Sequence, residues 1–359
     1  MSNIFDYLKW RGDIRFDQVG LTPVDGLIFS ALAYVHYEGC VSEQVGGSIS
    51  LQQVAEITLR QPNLMDRCRI EKDLELLKAA ASTQRFGRVG MTFYQNVFEP
   101  EEDTQFGAVT FLLEDGSAFL AFRGTDNSLV GWREDFNMTF EDTIPAQRLA
   151  RDYVSRFARG SRAPFVLGGH SKGGNLAVYA GACVAPRVQK RIRSVLNFDG
   201  PGFTEQMMTQ PGYLAIVPRI CTYLPQFSVF GLLLEREESF HVIKSRQIGL
   251  MQHDPYYWEV LGPNFVPGKE LTEDSRFLDR TFKTWLAGMS RAERNEFVDA
   301  VFDLLMVEDN KQLRDILRPQ NLPAYFKMLH MDENRRKIIA SKLKNLIESA
   351  RNAGLEAEE

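Results

Sequence analysis

Histidine is scarce in this chain: there are five in 359 residues, His36, His170, His241, His253 and His330. Cysteine is scarcer. Cys40, Cys68, Cys183 and Cys221 lie far apart and form no CxxC pair, which argues against a zinc site and against a disulfide framework. No uncharged run approaches the roughly 20 residues that span a bilayer, and stretches such as 26–37 fall well short, so no transmembrane segment is expected. A basic excess is missing as well. The net charge is −5, and no field exists to hold a nucleic acid. The opening "MSNIFDYLKWRGD" has charges where a secretory leader needs an apolar stretch, and the expected location is cytoplasmic. What remains, 44% hydrophobic and 25% charged, suits a globular chain with a sizeable core.

Apolar spacing places the first helix after Thr22 and Pro23, with Val24, Leu27, Ile28, Ala31, Leu32 and Val35 on one face. A second is predicted over 66–82. Near residue 88 the pattern changes to aromatic and β-branched runs, "VGMTFYQNVF", "FGAVTFLLE" and "SAFLAFRG", with Asp115-Gly116 as a hairpin signal between the last two. Strands then alternate with helices: helix 146–159, strand 164–168, helix "NLAVYAGACV", and strands "RSVLNF", "ICTYL" and "FHVIKS". An antiparallel region followed by such alternation predicts a mostly parallel central sheet with helices on both faces. From about 270 the chain turns helical and charged, with Ser290 and Glu293 as a capping box, Pro319 and Pro323 as interruptions, and "LEAEE" as an acidic end. Two units are expected, 1–269 carrying the sheet and 270–359 a C-terminal helical extension. No internal repeat is present.

Chemistry concentrates at "FVLGGHSKGG". Gly169, Ser171 and Gly173 form G-x-S-x-G between an apolar strand and an apolar helix. That junction lifts a serine hydroxyl above a sheet edge and sets it at a helix amino end. A phosphate-binding loop needs GK followed by Ser or Thr at its end, and a dinucleotide site needs GxGxxG; neither pattern is here. The bland alternative for Ser171 is a small residue in a glycine turn.

A serine hydroxyl needs a base. In this architecture the chain order is serine, acid, histidine, which sets aside His36. His170 is the serine's own neighbour and is expected to point elsewhere. His241 lies inside a predicted strand and His330 among the C-terminal helices. His253, in the loop "GLMQHDPYYW" past the last strand, is favoured. For the acid, Asp199 ends "RSVLNFD" ahead of Gly200-Pro201-Gly202, one helix and one strand after the serine. The next strand region, "ICTYLPQFSVFGLLL", has no carboxylate before Glu235. Asp254 adjoins His253 too closely in sequence to orient it. The oxyanion donors expected are the main-chain N–H of Lys172 and one from Thr125 or Asp126 in "FRGTDNSLVGW".

"AFRGTDNSLVGWREDF" with "GGHSKGGNLAVYA" resembles the class 3, fungal-type lipase pattern of FRG plus Ser or Thr and then GHSLGG. The wider set "NIFDYLKWRGD", "FDGPGF", "SVFGLLL", "QHDPYYWEV" and "FLDRTFKTWL" resembles the Mbeg1-like family over about residues 3–300. The resemblance implies an α/β-hydrolase fold, with Ser171 as nucleophile and Thr125 and Lys172 as oxyanion donors. Two departures stand out. Lys172 replaces the pattern's leucine, which puts a cation at the pocket mouth. The lipase acid sits in a DxVPxLP-type segment, whereas "TYLPQFSVFG" has none, so either Asp199 substitutes or the triad is incomplete and the enzyme slow. In class 3 lipases the stretch matching 126–145 carries a lid, and here it mixes Trp132, Phe136, Met138 and Phe140 with acidic residues, as an amphipathic lid or an ordinary surface helix would. "FSVFGLLL" and "DPYYW" are further candidates to line an apolar pocket.

The expectation is therefore a hydrolase of carboxylic esters acting on a small-molecule or lipid ester, with no metal or organic cofactor. Its rivals are a binding or scaffold protein on the same fold, with the C-terminal helices docking a partner, and a thioesterase or acyltransferase using the same three residues. Nothing in the sequence reads on oligomeric state.

Overall fold

In a computed structural model, which describes residues 2–126, 128–305 and 333–355, eight strands form one sheet in sequence order, β1 to β8. Strands β1 (Ile49–Ser50), β2 (Gly90–Glu99), β3 (Thr104–Leu112) and β4 (Ala118–Phe122) pair antiparallel. From β4 onward, β5 (Phe165–His170), β6 (Ile192–Phe198), β7 (Ile220–Pro225) and β8 (Phe240–Ile243) are parallel. The principal helices are α1 (Ile4–Arg11), α2 (Pro23–Leu32), α3 (Glu71–Ala81), α4 (Leu129–Asn137), α5 (Pro145–Gly160), α6 (Lys172–Cys183), α7 (Pro211–Ile216), α8 (Glu273–Ala287), α9 (Arg291–Leu305) and α10 (Glu333–Leu355). The antiparallel half can turn tightly: Gly116 has φ 79°, a conformation that costs glycine nothing. The parallel half cannot, because each strand must return to the same edge. Helices α5, α6 and α7 provide the returns into β5, β6 and β7, and the segment 226–239 provides the one into β8.

Both faces of the sheet are covered. Along β4, Ala118, Leu120 and Phe122 join the cluster of α5, α6 and α7. Phe119 and Ala121 join the opposite cluster, which holds α1, α2 and α3. The period-two alternation of strand side chains thus feeds two cores from one strand. Helix α5 begins at Pro145 and buries Ala146, Ala150, Tyr153, Val154 and Phe157 along one stripe. Each large apolar side chain so buried contributes about 1.5–3 kcal/mol. Thr22 caps α2 as its sequence predicts. The helix α1 ahead of it was not placed by apolar periodicity. Its signal is instead a polar one, Asn3 and Asp6 capping each other's main-chain N–H groups. The predicted 66–82 helix narrows to α3, which opens at Glu71.

The helices after residue 272 share a third apolar cluster, in which Trp285, Met289, Phe297 and Phe302 pack with Phe140. Ser290 and Glu293 form the capping box at the start of α9. The Trp285 indole donates to the Lys342 carbonyl at 2.9 Å. Pro319, Pro323, His330 and the acidic end 356–359 lie outside the described residues. Among the described residues no helix is long and apolar enough to cross a membrane.

Candidate active site

Strand β5 ends at His170, and Ser171 follows at φ 58° and ψ −134°, a backbone region that non-glycine residues avoid and that costs about 1–3 kcal/mol. The surroundings over-determine it. The Ser171 N–H donates to Phe198 O on β6 at 2.9 Å, and Ser171 O accepts from Gly174 N–H at 2.8 Å. A Cβ on Gly169 would lie 2.2 Å from the Gly173 carbonyl carbon, and one on Gly173 would lie 2.2 Å from Phe122 O. Only glycine at both positions lets the turn close against β4. Ser171 is partly exposed at the head of α6.

Asp199 is the next residue after β6 and repeats the strain, at φ 55°. It is fully buried. Its Oδ2 lies 2.6 Å from His253 Nδ1, and its Oδ1 accepts from the Ser228 hydroxyl at 2.5 Å. Because Nδ1 faces a carboxylate it carries the ring proton, which leaves the Nε2 lone pair of His253 free to act as a base. Ser228 comes from "TYLPQFSVFG", the acid-free segment that runs from β7 into the loop after it. That segment supplies a hydroxyl to hold the acid of the neighbouring strand. Asp254, set aside on sequence grounds, caps the turn after it through the Tyr256 N–H.

His170 does more than point away. Its ring is buried and lies 4.5 Å from the His253 ring. Its Nε2 is 2.8 Å from the His253 carbonyl oxygen, and its Nδ1 is 3.0 Å from the Tyr34 hydroxyl. A carbonyl only accepts, so Nε2 carries the proton and Nδ1 accepts from Tyr34. Burial, helped by the neighbouring His253 and Arg69, pushes the His170 pKa well below the usual histidine value. The ring is held neutral as a prop for the loop that carries His253. Among the described residues Ser171 Oγ makes no hydrogen bond to His253. His241, on the edge strand β8, is exposed and stacks on Tyr223.

On the other side of Ser171 the expectation for Lys172 needs correcting. Its side chain is not at a pocket mouth. It is buried and runs back under the sheet end to Gln105 O at 2.9 Å, Gln105 Oε1 at 2.8 Å and Glu134 Oε2 at 2.8 Å. Glu134 also accepts from the Ala146 and Gln105 main-chain N–H groups. The charge is compensated internally, as a dry interior requires. The Lys172 main-chain N–H heads α6, where no intrahelical acceptor exists. Thr125, in the loop after β4, donates its hydroxyl to Asp135 Oδ2 at 2.5 Å. Asp135 Oδ1 has no hydrogen-bond partner among the described residues. Burial pushes the Asp135 carboxyl up to about 6, against the pull of Lys172 and the Thr125 hydrogen bond. Within 126–145, α4 is seated through Glu134, which pairs with Lys172, and Asp135, which accepts from Thr125.

An apolar pocket adjoins these groups, lined by Trp132 and Phe136 of α4 and by Phe230 and Leu233. The Phe230 ring lies 4.6 Å from the His253 ring. From "DPYYW", by contrast, Tyr256 and Trp258 belong to the core beneath the sheet. Among the described residues no group of three His, Cys, Asp or Glu side chains could hold a metal ion.

Two solved structures are similar to the chain at low identity. A mutant form of MDLA from Penicillium cyclopium is 14% identical with a TM-score of 0.40, over 69% of this chain and 85% of that one. M37 lipase is 13% identical with a TM-score of 0.35, over 57% of this chain and 68% of that one. No curated protein matches the chain. A family match does exist, over residues 80–303; it runs from the end of α3 past β8 and takes in Ser171, Asp199 and His253, so this chain, with its mostly parallel sheet flanked by helices, belongs to the Mbeg1-like family.

Proposed function

We propose that the chain is a serine hydrolase of carboxylic esters. The observation that carries the reading is the 2.6 Å contact of Asp199 Oδ2 with His253 Nδ1, set at the rim where Ser171 holds its strained turn. A hydrogen-bonded imidazole and carboxylate beside a serine at a strand–helix junction is the arrangement that acyl transfer needs.

In this mechanism Ser171 Oγ attacks the ester carbonyl carbon while its proton passes to His253 Nε2. Asp199 keeps the ring in the tautomer that can accept it and stabilises the resulting imidazolium. The carbonyl oxygen becomes an anion and takes hydrogen bonds from the main-chain N–H groups of Lys172 and Thr125, each contributing about 3–4 kcal/mol. Collapse expels the alkoxide, which takes the proton back from His253. Water then attacks the acyl-serine, giving its proton to His253, and the carboxylic acid leaves as Ser171 regains its hydrogen. Thioesters would follow the same path, and product analysis with thiol and alcohol acceptors separates these uses.

The test is a fluorophosphonate probe. Wild type is expected to be labelled at Ser171, and Ser171→Ala is expected to stay folded and unlabelled. Folded wild type that never reacts removes the proposal.

A further inference from the structure

Helix α8 lies beyond the sheet, yet it walls the pocket beside His253. Phe282, Trp285 and Leu286 line the cavity with Trp132, Phe136, Phe230 and Leu233. They stand at i, i+3 and i+4, one face of the helix. The cavity measures about 140 Å³. One side reaches His253 through Phe230. Another reaches the proposed oxyanion loop through Asp135, which also lines the cavity and accepts the Thr125 hydroxyl. Trp285 is nearly buried and its indole is tied to the Lys342 carbonyl at 2.9 Å, so this wall is anchored from behind by α10.

Accepting the ester-hydrolase reading, we propose that this cavity is the acyl subsite and that α8 limits it to short acyl groups. A dry apolar cavity of about 150 Å³ holds a benzene-sized guest, so the occupant is an acyl group of about six carbons. A chain of twelve carbons exceeds that volume, and Trp285 and Leu286 are among the walls that bound it. The C-terminal helices thereby act as a ruler for the substrate, a role distinct from docking a partner.

The experiment compares p-nitrophenyl acetate, hexanoate and dodecanoate by kcat/KM. Ratios between esters are insensitive to how much of a variant folds. Wild type is expected to favour hexanoate over dodecanoate at least tenfold. Trp285→Ala should raise the dodecanoate-to-hexanoate ratio tenfold or more. Leu286→Trp, which fills the cavity from its half-exposed side, should lower the hexanoate-to-acetate ratio by a similar factor, within the 10–200-fold range that pocket fit confers. A wild type that prefers dodecanoate, or ratios unmoved in both variants, overturns the subsite. A binding measurement separates this from the catalytic reading. Hexanamide should change the tryptophan fluorescence of Ser171→Ala saturably, and adding Leu286→Trp should abolish the change. If wild type resists the fluorophosphonate while this binding is present, the pocket stands and the hydrolase reading falls. If the fluorophosphonate labels Ser171 but hexanamide does not bind, the reverse holds.

Discussion

The two banks of Ser171 are built on opposite electrostatic principles. Towards His170 the groups are joined by hydrogen bonds that leave one ring open to change. His170 is neutral, Tyr34 and Ser228 are uncharged, and Asp199 is, among the described residues, the one buried carboxylate hydrogen-bonded to the His253 ring. Towards Lys172 the bank is an ion pair in the interior, Lys172 with Glu134, and a carboxylate tether on Thr125. On the proposed mechanism the difference follows from the task. A base must gain and lose a proton in each half-reaction, so its neighbours must not compete for that proton. The oxyanion donors are main-chain N–H groups that never titrate, and buried carboxyl groups can hold their loops in place.

If the banks divide the work this way, the largest effects belong to the histidine side. Asp199→Asn keeps the shape but lets the ring take the wrong tautomer, and kcat on p-nitrophenyl hexanoate should fall by roughly 10⁴-fold. Ser228→Ala removes the second hydrogen bond to Asp199 and the acceptor of the Gly231 N–H, and should cost about tenfold in kcat. A loss in Asp199→Asn smaller than that in Ser228→Ala would assign the acid to another residue.

How far this comparison was visible beforehand differs between the banks. Ser171, Asp199 and His253 each follow the end of a predicted strand or lie in the loop past the last one, and strands are what aromatic and β-branched runs reveal best. The parallel half of the sheet was legible for the same reason. The direction of the Lys172 side chain was not. Its partners, Gln105 and Glu134, lie 67 and 38 residues away, and a lysine reads as solvated unless the opposing charge is known. His170 and Ser228 were hidden likewise, because their roles are contacts across strands and a histidine or serine carries no directional pattern. In α8 the apolar face was readable from its spacing, but what it covers depends on the path of the chain between β8 and Glu273.

The lysine bank should fail by stability first. Lys172→Leu, which restores the residue of the class 3 lipase pattern, leaves Glu134 buried without its cation. Removing one member of a buried pair costs about 3–5 kcal/mol, seen as a lowered urea midpoint. Adding Glu134→Gln should recover most of that loss, because the amide still accepts from the Ala146 N–H and no charge remains stranded. A double variant as unstable as Lys172→Leu would mean that the Gln105 contacts, rather than the ion pair, hold this bank together.

The smallest expected effect sharpens the comparison through pH. The Asp135 carboxyl is raised to about 6 in the folded chain, above the ordinary aspartate value near 3.9. Between those values the folded state binds more protons than the unfolded one, so this group's contribution to stability falls as pH rises through that window. Above it, the ionised carboxylate is a standing cost. Asp135→Asn removes the cost while its amide oxygen can still accept the Thr125 hydroxyl. The variant should therefore gain up to about 2 kcal/mol over wild type at pH 8, and the gain should shrink to nothing towards pH 4, read from urea midpoints at both values. Activity measured alongside decides what the oxyanion loop requires. A loss of kcat below tenfold would mean that the tether alone positions Thr125, and a loss above a hundredfold would mean that the charge on Asp135 takes part.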